Sequence, residues 1–367
     1  LKLRKNIILL VALVFGLVLL AGCGGTKVSG DTPAKDTPTK ETMKPVTLKF
    51  ADFIPPGHPI NVNMTGVWAK RVEEVTNGLV KVDIYPAGTL LKSGDIYEGV
   101  ASGVADVGHD VSGYNIGRLP VFNAMYVGGL QFKGAKASSY VARDLLKELK
   151  PKELEDTHLL YTYGIAPGVL MTIKPVKTLE DLKGMQIRAS GANVDTLKAL
   201  GAVPVGLTIA ETYDSMSKGV VDGALLPAET LRAFKLGEVT KYVTSGVDML
   251  YNTVHYATMN KKVWDSFPKE IQDAITKVNE EVFATASTMW DGKDGAKGEN
   301  QLGLDFAVTK GNQLITLSAE ESARWNEKLK PLQGQYAEVL NKKSIDGKAV
   351  MGKISELTKK YNSEFYK

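Results

Sequence analysis

The chain has 367 residues, 44% hydrophobic and 23% charged, with 45 Lys and Arg against 41 Asp and Glu and one cysteine. So even a charge balance leaves no electrostatic footprint for a nucleic-acid partner, and a single thiol excludes an intrachain disulfide framework. The length exceeds what one hydrophobic core usually holds, which predicts two lobes.

Residues 1–22 read as a signal peptide. Lys2, Arg4 and Lys5 precede an apolar run from Ile7 to Ala21, 15 residues long. A membrane-spanning helix needs about 20, and a basic head, apolar middle and small-residue exit are the layout of an export leader. The exit, Leu20-Ala21-Gly22-Cys23, resembles the bacterial lipobox. Cys23 is either a free thiol or a lipid attachment point, and its place behind Leu-Ala-Gly favours lipidation. Without the leader's three bases, 42 bases face 41 acids. Residues 23–45 are Gly, Thr, Pro, Lys, Asp and Ser with almost nothing apolar, a composition that cannot offset its ordering entropy and serves as a tether.

The body opens with a strand pattern over Val46–Phe53 and a breaker-rich turn from Ile54 to Pro59. Apolar residues recur at helical spacing from Val62 to Val75, with Asn77-Gly78 as the stop. A second alternating strand covers Leu79–Tyr85, so the order is strand–helix–strand and the class is α/β. Further on, Tyr97-Glu98 is followed by Gly103-Val-Ala-Asp106, and Tyr213-Asp214 by Gly219-Val-Val-Asp222. Either each lobe carries one such helix-to-strand unit, or the echo is coincidence, since Gly-Val-x-Asp is a common exit from a helix. Trp264 to Gln272 reads as a helix start with Pro268 in its first turn. Ile271, Ile275, Val278, Val282 and Phe283 continue its apolar stripe to Trp290. Gly292–Gly298 reads as a flexible charged loop holding Asp294, which, like the nearby Asp291, is expected in solvent. Ser318–Leu340 and Ile354–Tyr361 are further amphipathic stretches.

Catalytic and metal signatures are missing. His58, His109, His158 and His255 show no metal-ligand spacing, and no CxxC, nucleophile elbow, P-loop or dinucleotide fingerprint occurs. His109-Asp110 reads as a hydrogen-bonded rim or cleft pair rather than a catalytic couple. No enzyme activity and no cofactor is expected.

Pro175-Val-Lys-Thr-Leu-Glu-Asp-Leu-Lys-Gly-Met-Gln-Ile-Arg188 closely resembles the solute-binding proteins of TRAP transporters, the DctP family. The likeness extends to Thr76-Asn-Gly, Ile84-Tyr-Pro-Ala-Gly88, Gly201-Ala-Val-Pro-Val, Glu211-Thr-Tyr213, Gly219-Val-Val-Asp-Gly223 and Trp264-Asp-Ser-Phe-Pro, spanning residues 46–340. The resemblance implies a two-lobed, periplasmic-binding-protein-like (Venus flytrap) fold with long C-terminal helices across the lobes. Lobe I is expected at 46–165 with 252–291, lobe II at 166–251 with 292–345, and a C-terminal helix at 346–367. It further implies a monomeric extracytoplasmic receptor that hands an organic acid to TRAP membrane permease subunits.

The family's carboxylate-gripping arginine matches Arg188, and a guanidinium fork suits that task. Two departures remove polar contacts. Near Gly168 many members have a second arginine, and Leu226 stands where sialic-acid-type members have asparagine. The expected cargo is therefore a monocarboxylate or 2-oxo acid with an apolar or aromatic part. A C4-dicarboxylate remains open if His58, His109 or a backbone amide holds its second carboxylate. A ligand sensor for a receptor kinase, or a secreted enzyme acting through His109-Asp110, are the rival roles. Position alone adds Phe53, His58, Asp110, Tyr114, Glu229, Tyr251 and Asn252 as cleft candidates, each of which could equally be core or rim, and the stretches that carry the resemblance add Tyr213 and Leu226.

Overall fold

The computed structural model describes residues 43–366, so the leader, Cys23 and nearly all of the tether lie outside the described residues. Strand β1 (Val46–Asp52) leads through the Pro-rich turn into a helix whose first part, Asn61–Thr65, is wound as a π-helix. This departs from the single regular helix expected there. Gly66 donates its N–H to Asn61 O, and a side chain at Gly66 would come within 2.8 Å of that oxygen, so glycine permits the wide turn. Helix α1 (Gly66–Val75) then stops at Asn77 and Gly78, both with positive φ. There follow β2 (Val80–Tyr85), α2 (Ile96–Ala101), β3 (Val107–Val111), α3 (Pro120–Asn123), α4 (Ala135–Leu149) and β4 (Thr157–Ile165).

The chain next crosses to a second sheet, with β5 (Val169–Thr172), β6 (Gln186–Ala189), α5 (Asn193–Ala199), β7 (Val203–Gly206), α6 (Ile209–Ser217), β8 (Gly223–Leu226), α7 (Thr230–Ala233) and β9 (Tyr242–Ser245). Strand β10 (Thr253–Asn260) returns to the first sheet, followed by α8 (Lys261–Ser266) and α9 (Lys269–Met289). A hairpin of β11 (Gly292–Lys293) and β12 (Ala296–Lys297), then α10 (Glu299–Thr309) and β13 (Gln313–Thr316), leads back to the second. Helices α11 (Ala319–Leu329), α12 (Leu332–Asn341) and α13 (Gly347–Phe365) close the chain.

The first sheet has the order β2-β1-β3-β10-β4, and the second β13-β9-β5-β8-β6-β7. β1 runs parallel to β2 and β3, and β6 runs parallel to β7 and β8, so each sheet has a parallel βαβ half. The returning strand β10 is antiparallel to both of its neighbours. Trp68, Phe50, Ile275, Val282 and Trp290 pack one core between the first sheet, α1 and α9, where the Trp68 indole donates to Asn279 Oδ1 (2.7 Å). Met171, Met216, Leu226, Leu231 and Val243 fill a smaller core on the second sheet.

The sequence echo is a repeated structural device, one copy in each sheet. Asp106 donates its N–H to Lys49 O (3.0 Å) and accepts the Lys49 N–H on Oδ2 (2.8 Å), closing a ring onto β1. Asp222 does the same to Gln186 of β6, at 2.7 and 2.9 Å. The preceding turns also match: Val104 N–H donates to Gly99 O and Val220 N–H to Ser215 O, both at 2.8 Å.

Three local expectations change. Residues 292–298 are a tight hairpin rather than a loose loop, with Asp294 and Gly295 at φ 53° and 81°. Asp291 is not a free solvent group: its carboxylate accepts the N–H groups of Ala135 and Lys136, capping α4, and the Tyr366 hydroxyl. Trp264 belongs to α8, because Pro268 lies outside the helical conformation and starts α9 as its N-cap.

Candidate ligand-binding cleft

A narrow cleft lies between the two sheets, on the side where β1, β3, β6 and β8 deliver their carboxyl ends. Such ends are where open α/β sheets present ligand sites. From the first sheet come Phe53, His58 and Ile60 after β1, Val111 and Tyr114 at the end of β3, and Thr253 and His255 of β10. The second contributes Arg188 and Ser190, Ile209, then Leu226, Pro227, Glu229 and Thr230 after β8. Phe234 and Tyr251 complete the wall.

Arg188 is the dominant charge. Its side chain is 1% exposed, Nε donates to Leu207 O (3.0 Å) and Nη2 to the Tyr114 hydroxyl (3.0 Å). Nη1 is buried and has no hydrogen-bond partner. Both of its partners are neutral, and no carboxylate among the described residues pairs with it. The Glu211 carboxyl is held below its ordinary pKa mainly by its bonds to Thr208 and in part by the Arg188 charge, but without an ion-pair contact a buried guanidinium stays costly and favours the arrival of an anion. The Tyr114 oxygen also accepts from Ile209 N–H at the start of α6 (3.0 Å), so both acceptor sites are used and its own proton is left to donate. Burial raises the Tyr114 pKa above the ordinary phenol value and keeps that proton in place. Because Tyr114 follows β3 of the first sheet while Arg188 lies in β6 of the second and Ile209 opens the helix after β7, this hydroxyl ties the two sheets together.

Behind the cleft runs an aromatic column. Phe53 stacks on His109 and His255 with centroids 5.5 and 6.2 Å away, and meets the Tyr114 ring edge-on. His109 Nδ1 lies 3.0 Å from Asp52 Oδ1, and its Nε2 lies 3.1 Å from the Tyr163 hydroxyl and 3.3 Å from His255 Nδ1. Burial, with His109 and His58 nearby, holds the His255 pKa well below the ordinary imidazole value, so His255 is neutral.

Of the sequence candidates, Arg188, Phe53, His58, Tyr114, Leu226, Glu229 and Tyr251 meet in this cleft. Asp110, Tyr213 and Asn252 do not line it. Neighbours on a strand face opposite ways, so Asp110 points away from His109 and the two form no couple. Its carboxylate accepts the N–H groups of Gly94 and Val111 and the Asn115 amide, and burial pushes its pKa up to about 7. His109 itself is fully buried rather than at a rim. Tyr213 lies on the face of α6 that packs against the second core. Asn252 is used up structurally, accepting from Ser138 Oγ and donating to Met125 O. Position missed His255, Ser190, Thr253 and Phe234. His255 alone left a signal, as a histidine within an alternating strand next to the predicted crossing. Gly168 has a packing reason for lacking a side chain: a Cβ there would sit 2.5 Å from the Tyr251 ring. Among the described residues, no group of three or more His, Cys, Asp or Glu is placed to hold a metal ion.

Residues 50–339 match the model of the family described as bacterial extracellular solute-binding protein, family 7 (DctP). The chain belongs to this family. As a DctP-family protein it is 27% identical over 319 residues to the C4-dicarboxylate-binding periplasmic protein DctP of Rhodobacter capsulatus, covering 82% of this chain and 90% of that one. Among solved structures it resembles a marine-metagenome TRAP solute-binding protein specific for aromatic acid ligands, co-crystallised with 3-hydroxybenzoate. That match has TM-score 0.81 and 28% identity, covering 87% of this chain and 99% of the other. A TRAP solute-binding protein of Rhodoferax ferrireducens with copurified benzoate matches with TM-score 0.79 and 26% identity, covering 87% and 99%. The DctP-family chain thus has the two-lobed periplasmic-binding fold of TRAP receptors.

Proposed function

We propose that the protein captures an organic monocarboxylate with an apolar or aromatic part and passes it to the membrane subunits of a TRAP transporter. The observation that carries this reading is Arg188, a guanidinium buried to 1% exposure with Nη1 unpartnered in the cleft. A carboxylate there meets Nη1 and the spare Tyr114 proton, and each charge-assisted bond contributes about 1.5–3 kcal/mol. Phe53, Leu226, Phe234 and Tyr251 give the rest of the cargo apolar walls. The benzoate and 3-hydroxybenzoate of the two related receptors fit that chemistry. A C4-dicarboxylate fits less well, because His109 is held behind Phe53 and His58 faces Glu229.

In this reading lobe I is 46–165 with 252–291 and lobe II is 166–251 with 292–345. Cargo shifts the open–closed equilibrium toward closure by its better binding to the closed state. Residues 346–367 brace the lobes, Cys23 carries the lipid anchor, and the receptor works as a monomer outside the cytoplasm. The site has no catalytic task.

The test is a thermal-shift and calorimetric screen of organic acids on the purified protein and on Arg188→Ala. A cargo at about 100 times its Kd adds about 2.7 kcal/mol to stability. Stabilisation by monocarboxylates, lost in Arg188→Ala, is expected; equal affinity in the two proteins, or no acid that binds, overturns the proposal.

A further inference from the structure

Besides Arg188 Nη1, two more buried side-chain atoms in the same cleft have no hydrogen-bond partner: His58 Nε2 and Glu229 Oε2. Their residues are 2% and 4% exposed. The two atoms lie 3.3 Å apart but are not aligned as a hydrogen bond. His58 Nδ1 accepts the Ile60 N–H at 3.1 Å, so in the neutral ring the proton sits on Nε2. The cleft therefore presents one donor and one anionic acceptor side by side, with neither in contact with Arg188. Buried polar atoms left without partners are costly, and here a single ligand atom can serve both.

We propose that the His58–Glu229 pair is a subsite that reads a hydroxyl group on the cargo. The proposal rests on the reading of the cleft as an organic-acid site and names the class of acid: a hydroxylated monocarboxylate. One hydroxyl oxygen accepts from His58 Nε2–H and donates its proton to Glu229 Oε2. Other substituents satisfy only half of the pair. An ether oxygen accepts but cannot donate, and an ammonium donates but cannot accept. A second carboxylate accepts from His58 yet brings like charge against Glu229 with little water between them. A plain C–H leaves both atoms unpaired. The subsite also joins the lobes, since His58 follows β1 of the first sheet and Glu229 follows β8 of the second. A bound hydroxyl would thus hold the cleft shut at a second point besides Tyr114.

The experiment is isothermal titration of the intact purified protein with benzoate, phenylacetate and propionate, each beside its hydroxyl isomers and its methoxy and carboxyl counterparts. At least one hydroxyl isomer is expected to bind about 10- to 100-fold more tightly than its parent, the worth of one hydrogen bond to a charged group. The methoxy and carboxyl analogues are expected to gain no such factor. Glu229→Gln, which keeps the shape and removes the charge, should shrink the hydroxyl-to-parent ratio and admit the carboxyl analogue. If parent acids bind in an Arg188-dependent way but no hydroxyl isomer improves on them by more than about threefold, the subsite is refuted while the organic-acid reading stands. A methoxy group that gains as much as hydroxyl refutes it too. If no acid binds at all, both fall together. The wild-type ligand series decides the matter even should either variant fail to fold.

Discussion

Arg188→Met separates a binding charge from a structural brace. Methionine keeps much of the length and removes the guanidinium. The variant loses the bonds to Leu207 O and the Tyr114 hydroxyl, which at about 1.5–3 kcal/mol each favour the wild type by about 3–6 kcal/mol. Against that stands the desolvation of a charge with no carboxylate beside it, several kcal/mol that the apolar side chain does not incur. The two nearly cancel, so the ligand-free variant should melt within about 5 °C of the wild type. Binding has no such compensation. A carboxylate entering the variant keeps the Tyr114 proton but loses the Nη1 bond, about 1.5–3 kcal/mol, or about 10- to 150-fold in affinity. Differential scanning fluorimetry of the ligand-free proteins and calorimetry with the tightest acid found in the screen measure the two arms. Affinity within about threefold of wild type would falsify the carboxylate role. A loss of more than about 4 kcal/mol in urea unfolding without ligand would show that the guanidinium is already satisfied by its neutral partners.

Tyr114→Phe removes the acceptor shared by Arg188 and Ile209, and two donors go unpaired in the closed cleft that water can serve in an open one; Kd should rise at least about 30-fold, and an unchanged Kd in calorimetry counts against the tie. Asp110 has its pKa raised by burial to about 7 from 3.8, so the folded state holds a proton that the unfolded state releases, and this contribution is lost as pH rises from the unfolded value through about 7. The melting temperature of Asp110→Asn relative to wild type should therefore climb from about pH 4 to about pH 7 and level off above; a flat difference refutes the assignment. Asp106→Ala and Asp222→Ala should each cost about 1 kcal/mol in urea unfolding, because each frees one strand N–H, and leave Kd untouched; a silent substitution at either place breaks the equivalence of the two rings.

Much of the architecture could be read directly because it rests on local physics. Val46–Phe50 alternates as a half-buried strand should, Asn77-Gly78 takes the positive φ values its residue types allow, and the Ile271–Phe283 stripe is buried at helical spacing. The spacing from Tyr97 to Asp106 and from Tyr213 to Asp222 marked a device whose hydrogen bonds only coordinates reveal. The cleft was legible where strand exits deliver side chains, as with Phe53, Tyr114, Leu226 and Glu229. It was not legible where neighbours in sequence face apart, as at Asp110, or where a polar group is consumed by distant partners, as at Asn252. The pairing of His58 with Glu229 joins residues of different sheets and leaves no sequence signal.

The contact between Gly168 and Tyr251 bears on how this cleft can change over generations. A new side chain at position 168 collides with the ring at 2.5 Å, at its root as well as its edge. An arginine at position 168 therefore does not fit by one substitution; the Tyr251 ring must first be lost, and with it part of the cleft wall.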